Sequence, residues 1–167
     1  MSEAKGADCG IAAPRILIVD DEPGMIEILE INLAHEGYNV TGVLNGPEAL
    51  VQARANPPAL IILDVMMPGM NGWQVLEQLQ ADPRTAEIPV VMLTVMAQSE
   101  DVVKGLEKGA IEYITKPFHI SAVSETVKLV LGKGSWRNRD QHRQRRMAEQ
   151  RRMMKPLHDL FPDKEES

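Results

Sequence analysis

The stretch Leu60-Ile-Ile-Leu-Asp64-Val-Met-Met-Pro68-Gly69 lines up four aliphatic residues, ends them on a carboxylate and then breaks at Pro-Gly. An apolar run without alternation is what a strand covered on both faces requires. Three segments share the pattern: Arg15-Ile-Leu-Ile-Val-Asp20, Pro89-Val-Val-Met-Leu-Thr94 and, less purely, Glu112-Tyr-Ile-Thr-Lys116. Tyr38–Val43 alternates more, as a strand nearer a sheet edge would.

Helical segments separate these runs. After Pro23, the residues Met25, Ile28, Leu29 and Leu33 recur at helical spacing and predict one apolar stripe. Pro47–Arg54 opens with a proline where a first helical turn tolerates it. Asn71–Ala81, Ser99–Lys108 and Ser121–Leu131 complete the set, the last with Val123, Val127, Val130 and Leu131 on one face. Gly37, Gly109 and Gly132 follow three of the helices, where a left-handed stop is expected. Strand and helix thus alternate five times, which predicts an α/β fold with a parallel sheet wrapped by helices on both sides.

The 167 residues suffice for one domain and an appendage, and a 44% hydrophobic composition supports a real core. The single cysteine, Cys9, excludes a disulfide framework and fits a reducing cytosol. Residues 1–13 lack the apolar middle of a signal peptide and no membrane span is evident, so the expectation is a cytoplasmic protein. Residues 1–132 hold 8 basic and 18 acidic side chains, and residues 133–167 hold 10 basic and 6 acidic. The expected organisation is a flexible leader at 1–13, a domain at 14–132 and a basic extension, helical or disordered, at 133–167.

Polar groups fall at the ends of the predicted strands: Asp20-Asp21-Glu22, Asp64, Thr94 and Lys116-Pro117. In an open parallel sheet those ends form the ligand crevice. Clustered carboxylates call for a cation, and Mg²⁺ takes oxygen ligands while leaving room for a phosphate. Lys116 can pair with an anion and Thr94 can donate a hydrogen bond to a phosphoryl oxygen. Such a set can hold a transferring phosphoryl group, with Asp64 as the nucleophile.

These positions together resemble the receiver domain of two-component response regulators, from about Pro14 to Leu131. The resemblance implies the flavodoxin-like strand order 2-1-3-4-5. It makes Asp64 the phosphoacceptor, Asp21 a direct Mg²⁺ ligand, Asp20 a ligand acting mainly through a metal-bound water, and the Met66 backbone carbonyl a third protein ligand. Thr94 and Lys116 would contact the phosphoryl group, Tyr113 would be the aromatic switch residue, and Lys116–Pro117 would be cis. Pro68 and Gly72 match the turn after Asp64. The implied donor is a sensor histidine kinase or a histidine phosphotransfer protein. The output would be an altered Ser99–Leu131 surface that binds a downstream protein or a second copy of the chain. No outside substrate, and so no enzyme activity in the ordinary sense, is expected.

Two departures concern the pocket. Val95 stands where the family commonly has a smaller residue, and Met66 and Met96 are apolar where the family tunes attack of water on the acyl phosphate. A long-lived phosphorylated state is the expectation. A haloacid-dehalogenase-type phosphatase would need a second Asp where Met66 stands, and no Gly-x-Gly-x-x-Gly follows the first strand as dinucleotide binding would require. Between Lys133 and Lys155 there are nine basic and two acidic residues. A solvated tail, a protein-docking helix and nucleic-acid contact are all open to it, the last ranked lowest. The alternative function is therefore a receiver-like scaffold or a nucleic-acid-binding regulator acting through this tail.

Overall fold

A computed structural model describes residues 13–95 and 109–132, together with Glu107 and Ala148. Among the described residues, five strands form one parallel sheet in the order β2-β1-β3-β4-β5. The strands are β1 (Arg15–Val19), β2 (Asn39–Val43), β3 (Leu60–Asp64), β4 (Val90–Thr94) and β5 (Glu112–Thr115). Four helices accompany them: α1 (Pro23–His35), α2 (Gly46–Ala55), α3 (Gly72–Ala81) and α4 (Ile120–Leu131). The expected fold class and strand order are observed, while the helix predicted over Ser99–Lys108 and the 133–167 extension lie outside the described residues.

The central strands carry apolar residues on both sides because both sides are covered. Leu17, Val19, Ile61, Leu63, Val90 and Met92 bury one face against α2 and α3. Ile16, Ile18, Leu60, Ile62, Val91 and Leu93 bury the other against α1 and α4. Each such side chain contributes about 1.5–3 kcal/mol by leaving water. Ser124 donates its hydroxyl to Glu36, and Lys128 Nζ stands 3.8 Å from the same carboxylate, tying α4 to the end of α1.

Two expectations need correction. The buried stripe of α1 is Ile26, Leu29 and Leu33, while Ile28 is 46% exposed. Gly42 of β2 is the reason: a Cβ there would collide with the Ile26 side chain, so the bare strand admits Ile26 and rotates Ile28 outward. The second concerns Gly132. Gly37 and Gly109 adopt the left-handed conformation, but Gly132 has φ −79°, and its N–H still reaches the Lys128 carbonyl. The chain leaves α4 by straightening, so no left-handed turn is needed there.

The start of α3 is fixed by a capping box. The Asn71 side chain accepts from the Gln74 N–H at 3.0 Å, and the Gln74 side chain accepts from the Asn71 N–H at 2.9 Å. Gly72 then lets the helix press on the end of β3. Its N–H donates to the Val65 carbonyl at 2.9 Å, and a Cβ would lie 2.7 Å from Val65 Cα and against the Asp64 carbonyl oxygen. Alanine in a first helical turn ordinarily stabilises relative to glycine. Here Gly72→Ala is expected to destabilise by about 2–3 kcal/mol, since backbone must move to admit the methyl. Urea denaturation checks the sign.

Candidate functional site

The strand ladders run past the strand ends and deliver the polar residues to one edge. Asp20 N–H donates to Val43 O at 3.2 Å, Val65 N–H to Leu93 O at 2.9 Å and Lys116 N–H to Thr94 O at 2.7 Å. Asp20, Asp64 and Lys116 are thereby held by backbone pairing between neighbouring strands. Asp20, Asp21 and Asp64 each offer a carboxylate oxygen, all within 4.8 Å of one another. Lys116 Nζ lies 3.2 Å from Asp20 Oδ2 and 3.2 Å from Asp64 Oδ1.

Within this cluster the acids differ. Asp20 is fully buried and both its oxygens have protein partners: Oδ1 accepts from the Glu22 N–H at 2.9 Å and Oδ2 from Lys116. Asp21 is half-buried. Asp64 is 2% exposed and accepts from the Met66 N–H at 3.3 Å. Burial first, and then the charge of Asp20, raise the Asp64 carboxyl above its ordinary value of 3.8, against the opposing pull of Lys116 and the Met66 N–H. Burial disfavours the Lys116 charge too, but Asp20 and Asp64 outweigh it and the ammonium is held above its ordinary 10.5.

An all-oxygen donor set of three carboxylates around one point fits Mg²⁺, which accepts a few carboxylates and keeps waters. Asp20, whose two oxygens each already accept one hydrogen bond, has less capacity left to ligate than Asp64, whose contacts with Met66 and Lys116 both fall on Oδ1. Met66, whose carbonyl the resemblance makes a ligand, starts the loop directly after this cluster.

Thr94 is 4% exposed at the end of β4, opposite Thr115 in register. Tyr113 pairs with Met92, is half-buried and packs on the sheet face covered by α2 and α3. Thr94 and Tyr113 therefore stand on the same face of adjacent strands, one diagonal step apart. The Lys116–Pro117 bond is cis, as the resemblance implies. Met96 lies outside the described residues. Sequence reasoning missed the double engagement of Lys116 and the Met66 N–H on Asp64. It also missed an open groove of about 520 Å³ beside the cluster, lined by Val65, Met66, Met67, Pro68, Asn71 and Trp73.

Comparison with known proteins agrees with this geometry. The response regulator receiver domain family matches residues 16–128. The chain belongs to that family. This receiver is 41% identical over 118 residues to the DNA-binding dual master transcriptional regulator RpaA of Synechocystis, covering 71% of this chain and 49% of the relative. It is 42% identical over 117 residues to the alkaline phosphatase synthesis transcriptional regulatory protein PhoP of Bacillus subtilis, covering 70% of this chain and 48% of the relative. The receiver thus spans about half the length of these curated relatives. Among solved structures, the Vibrio cholerae chemotaxis protein CheY4 superposes with a TM-score of 0.69 at 30% identity, covering 72% of this chain and 100% of that one. The signal receiver domain of a Syntrophus aciditrophicus histidine kinase gives 0.66 at 40% identity, covering 71% and 90%. No helix among the described residues is long and apolar enough to cross a membrane.

Proposed function

We propose that this chain is a phosphorylation-dependent switch of a two-component system, with Asp64 as the phosphoacceptor. The observation that carries the reading is Lys116 Nζ at 3.2 Å from both Asp20 and Asp64, with Asp21 completing the carboxylate cluster. An Asp64 oxygen attacks phosphorus in line, and the phosphohistidine P–N bond breaks. The imidazole keeps the electron pair and takes a proton from water, leaving an acyl phosphate on Asp64. Little covalent work falls to the protein, so positioning and charge neutralisation dominate. Lys116 faces the equatorial oxygens, and the Thr94 hydroxyl donates to one of them. Mg²⁺ held by Asp21, Asp64 and the Met66 carbonyl, with Asp20 behind a coordinated water, would supply further neutralisation of the phosphoryl charge.

Phosphorylation adds close to two negative charges beside Thr94. Thr94 shifts toward them, and Tyr113, on the same face of the next strand, follows into the space released. The result is a population shift between two packings. The region from Ser99 to Leu131, including Leu129 at 61% exposure on α4, presents the change to a downstream protein or a second copy. The donor is a sensor histidine kinase or a histidine phosphotransfer protein, the setting is the cytoplasm, and no outside substrate is turned over. A second reading, nucleic-acid binding through the basic extension, is favoured by a relative described as DNA-binding and by the charge between Lys133 and Lys155.

Acetyl phosphate with Mg²⁺ is expected to label Asp64 with a hydroxylamine-labile phosphoryl group, and a chelator is expected to prevent it. Intact-mass and peptide mapping measure this. An unlabelled protein, or label on another residue, would overturn the reading.

A further inference from the structure

The two edges of the sheet are built differently. β5 carries the buried, charged Glu112 and ends at the cis Lys116–Pro117 bond, features that discourage a further strand from pairing. β2 reads Asn39-Val-Thr-Gly-Val43, with no charge, no proline and no bulge in its register against β1. Its hydrogen bonds show which backbone groups face away from the sheet. Asn39 N–H donates to Pro14 O at 2.9 Å, and Val43 O accepts from Asp20 N–H at 3.2 Å, so Asn39, Thr41 and Val43 turn toward β1. Alternate residues of a parallel strand turn the other way. Val40 and Gly42 therefore aim their N–H and C=O groups outward, on the side where β2 is the last strand among the described residues.

This edge lies in an acidic field. From Ile16 to Ala53 there are seven Asp and Glu residues and no Lys or Arg. One carboxylate stands over the edge itself: Glu30 Oε1 lies 2.9 Å from where a Gly42 Cβ would be. A strand added outside β2 sets one side chain opposite Gly42 on the α1 face, beside Glu30, and the next opposite the exposed Thr41 on the face covered by α2 and α3. A second copy pairing edge to edge would set the acidic field against itself, whereas an Arg or Lys opposite Gly42 neutralises Glu30. We propose that the outer edge of β2 is a docking surface for an extended basic segment of a partner protein, which joins the sheet beside β2 and places a basic side chain on Glu30. β1 separates this edge from β3, so the surface is distinct from the Asp64 pocket.

The probe is the peptide acetyl-Arg-Thr-Arg-Thr-Arg-amide, titrated into the full ¹⁵N-labelled chain. The Val40 and Gly42 amides are expected to shift and to exchange hydrogen more slowly, while the Thr41 amide, already turned to β1, changes least. The same peptide methylated on every backbone nitrogen keeps its charges but cannot donate to the edge, and is expected to bind about tenfold more weakly, as two lost hydrogen bonds convert. A peptide with Glu in place of Arg is expected not to bind. Glu30→Gln is expected to weaken the Arg peptide by up to about fivefold, the span of a cross-strand charge pair. Val40→Pro removes an outward donor and spares the bonds to β1, since proline is tolerated where an edge N–H faces solvent, and is expected to lose most of the binding with the rest of the spectrum unchanged. No shift at Val40 and Gly42 overturns the docking surface, and so does an N-methylated peptide that binds as well as its parent. Equal binding of the Glu peptide overturns the basic partner. Protection of Val40 and Gly42 that rises with protein concentration, without peptide, gives the edge to a second copy and overturns it too.

Discussion

Asp64→Asn is expected to take up no phosphoryl label and yet to unfold at a higher temperature than the wild type when metal is absent. Loss of label follows from loss of the nucleophilic oxygen. The gain in stability follows from the charge conflict at the site. Folding raises the Asp64 carboxyl above 3.8, chiefly by burial and then by Asp20, so the folded protein holds that proton more tightly than the unfolded chain. Stability is therefore lost as pH rises from 3.8 through the folded value, and the whole penalty is present above that value. Asparagine does not ionise and is free of it. Relieving a charge conflict of this kind typically gains about 0.5–2 kcal/mol. The wild type and the variant are expected to converge toward acid, as Asp64 protonates. Added Mg²⁺ works against that order, because ion at tenfold over its Kd stabilises the binding-competent protein by about 1.4 kcal/mol, and at a thousandfold over its Kd, by about 4.1 kcal/mol, it reverses the order. Thermal melts across pH, with and without Mg²⁺, measure both effects; a variant less stable than wild type at neutral pH without metal would sink the account.

The clustering of carboxylates behind that conflict was legible in the sequence. The strands were legible because a parallel strand buried on both faces leaves only apolar residues, as in Ile16–Val19 and Leu60–Leu63. The convergence of Asp20, Asp64, Thr94 and Lys116 was legible because each ends such a run. The distribution of partners was not. Lys116 and Asp20 are 96 positions apart, and their ion pair depends on a 3.2 Å approach between the ends of β5 and β1, which β3 and β4 separate in the sheet, so no local pattern encodes it. The same holds for Ile28: helical spacing allows it or Ile26 to face inward, and the bare backbone of Gly42 on another strand decides. The groove beside Trp73 was illegible for a similar reason. It arises where the loop after Asp64 meets the first turn of α3, a juxtaposition set by Gly72 pressing on Val65.

Lys116→Met is expected to move two measurements in opposite directions. Phosphorylation of Asp64 at saturating Mg²⁺ and donor should slow by about 10²–10³, the usual loss when one preorganised charge partner of a transition state is removed. Mg²⁺ should bind severalfold more tightly, because the ammonium that now lies 3.2 Å from both Asp20 and Asp64 competes with any second cation for the same field. A general loosening of the fold would weaken both, so the opposite signs separate electrostatics from damage. Some damage is expected as well. Asp20 is fully buried, and removing its charge partner leaves only the Glu22 N–H to compensate, at a stability cost approaching the roughly 3–5 kcal/mol of a broken buried pair. The pair is intact through the working pH range. Folding raises Lys116 above 10.5, so its contribution is fully present below that value and is lost only as pH climbs through the folded pKa. Lys116→Arg keeps the charge but exchanges a point donor for a planar fork, and should recover part of the rate while restoring the weaker Mg²⁺ affinity. A Lys116→Met protein that phosphorylates within tenfold of wild type would mean that the two 3.2 Å contacts organise the resting pocket without acting on the phosphoryl group.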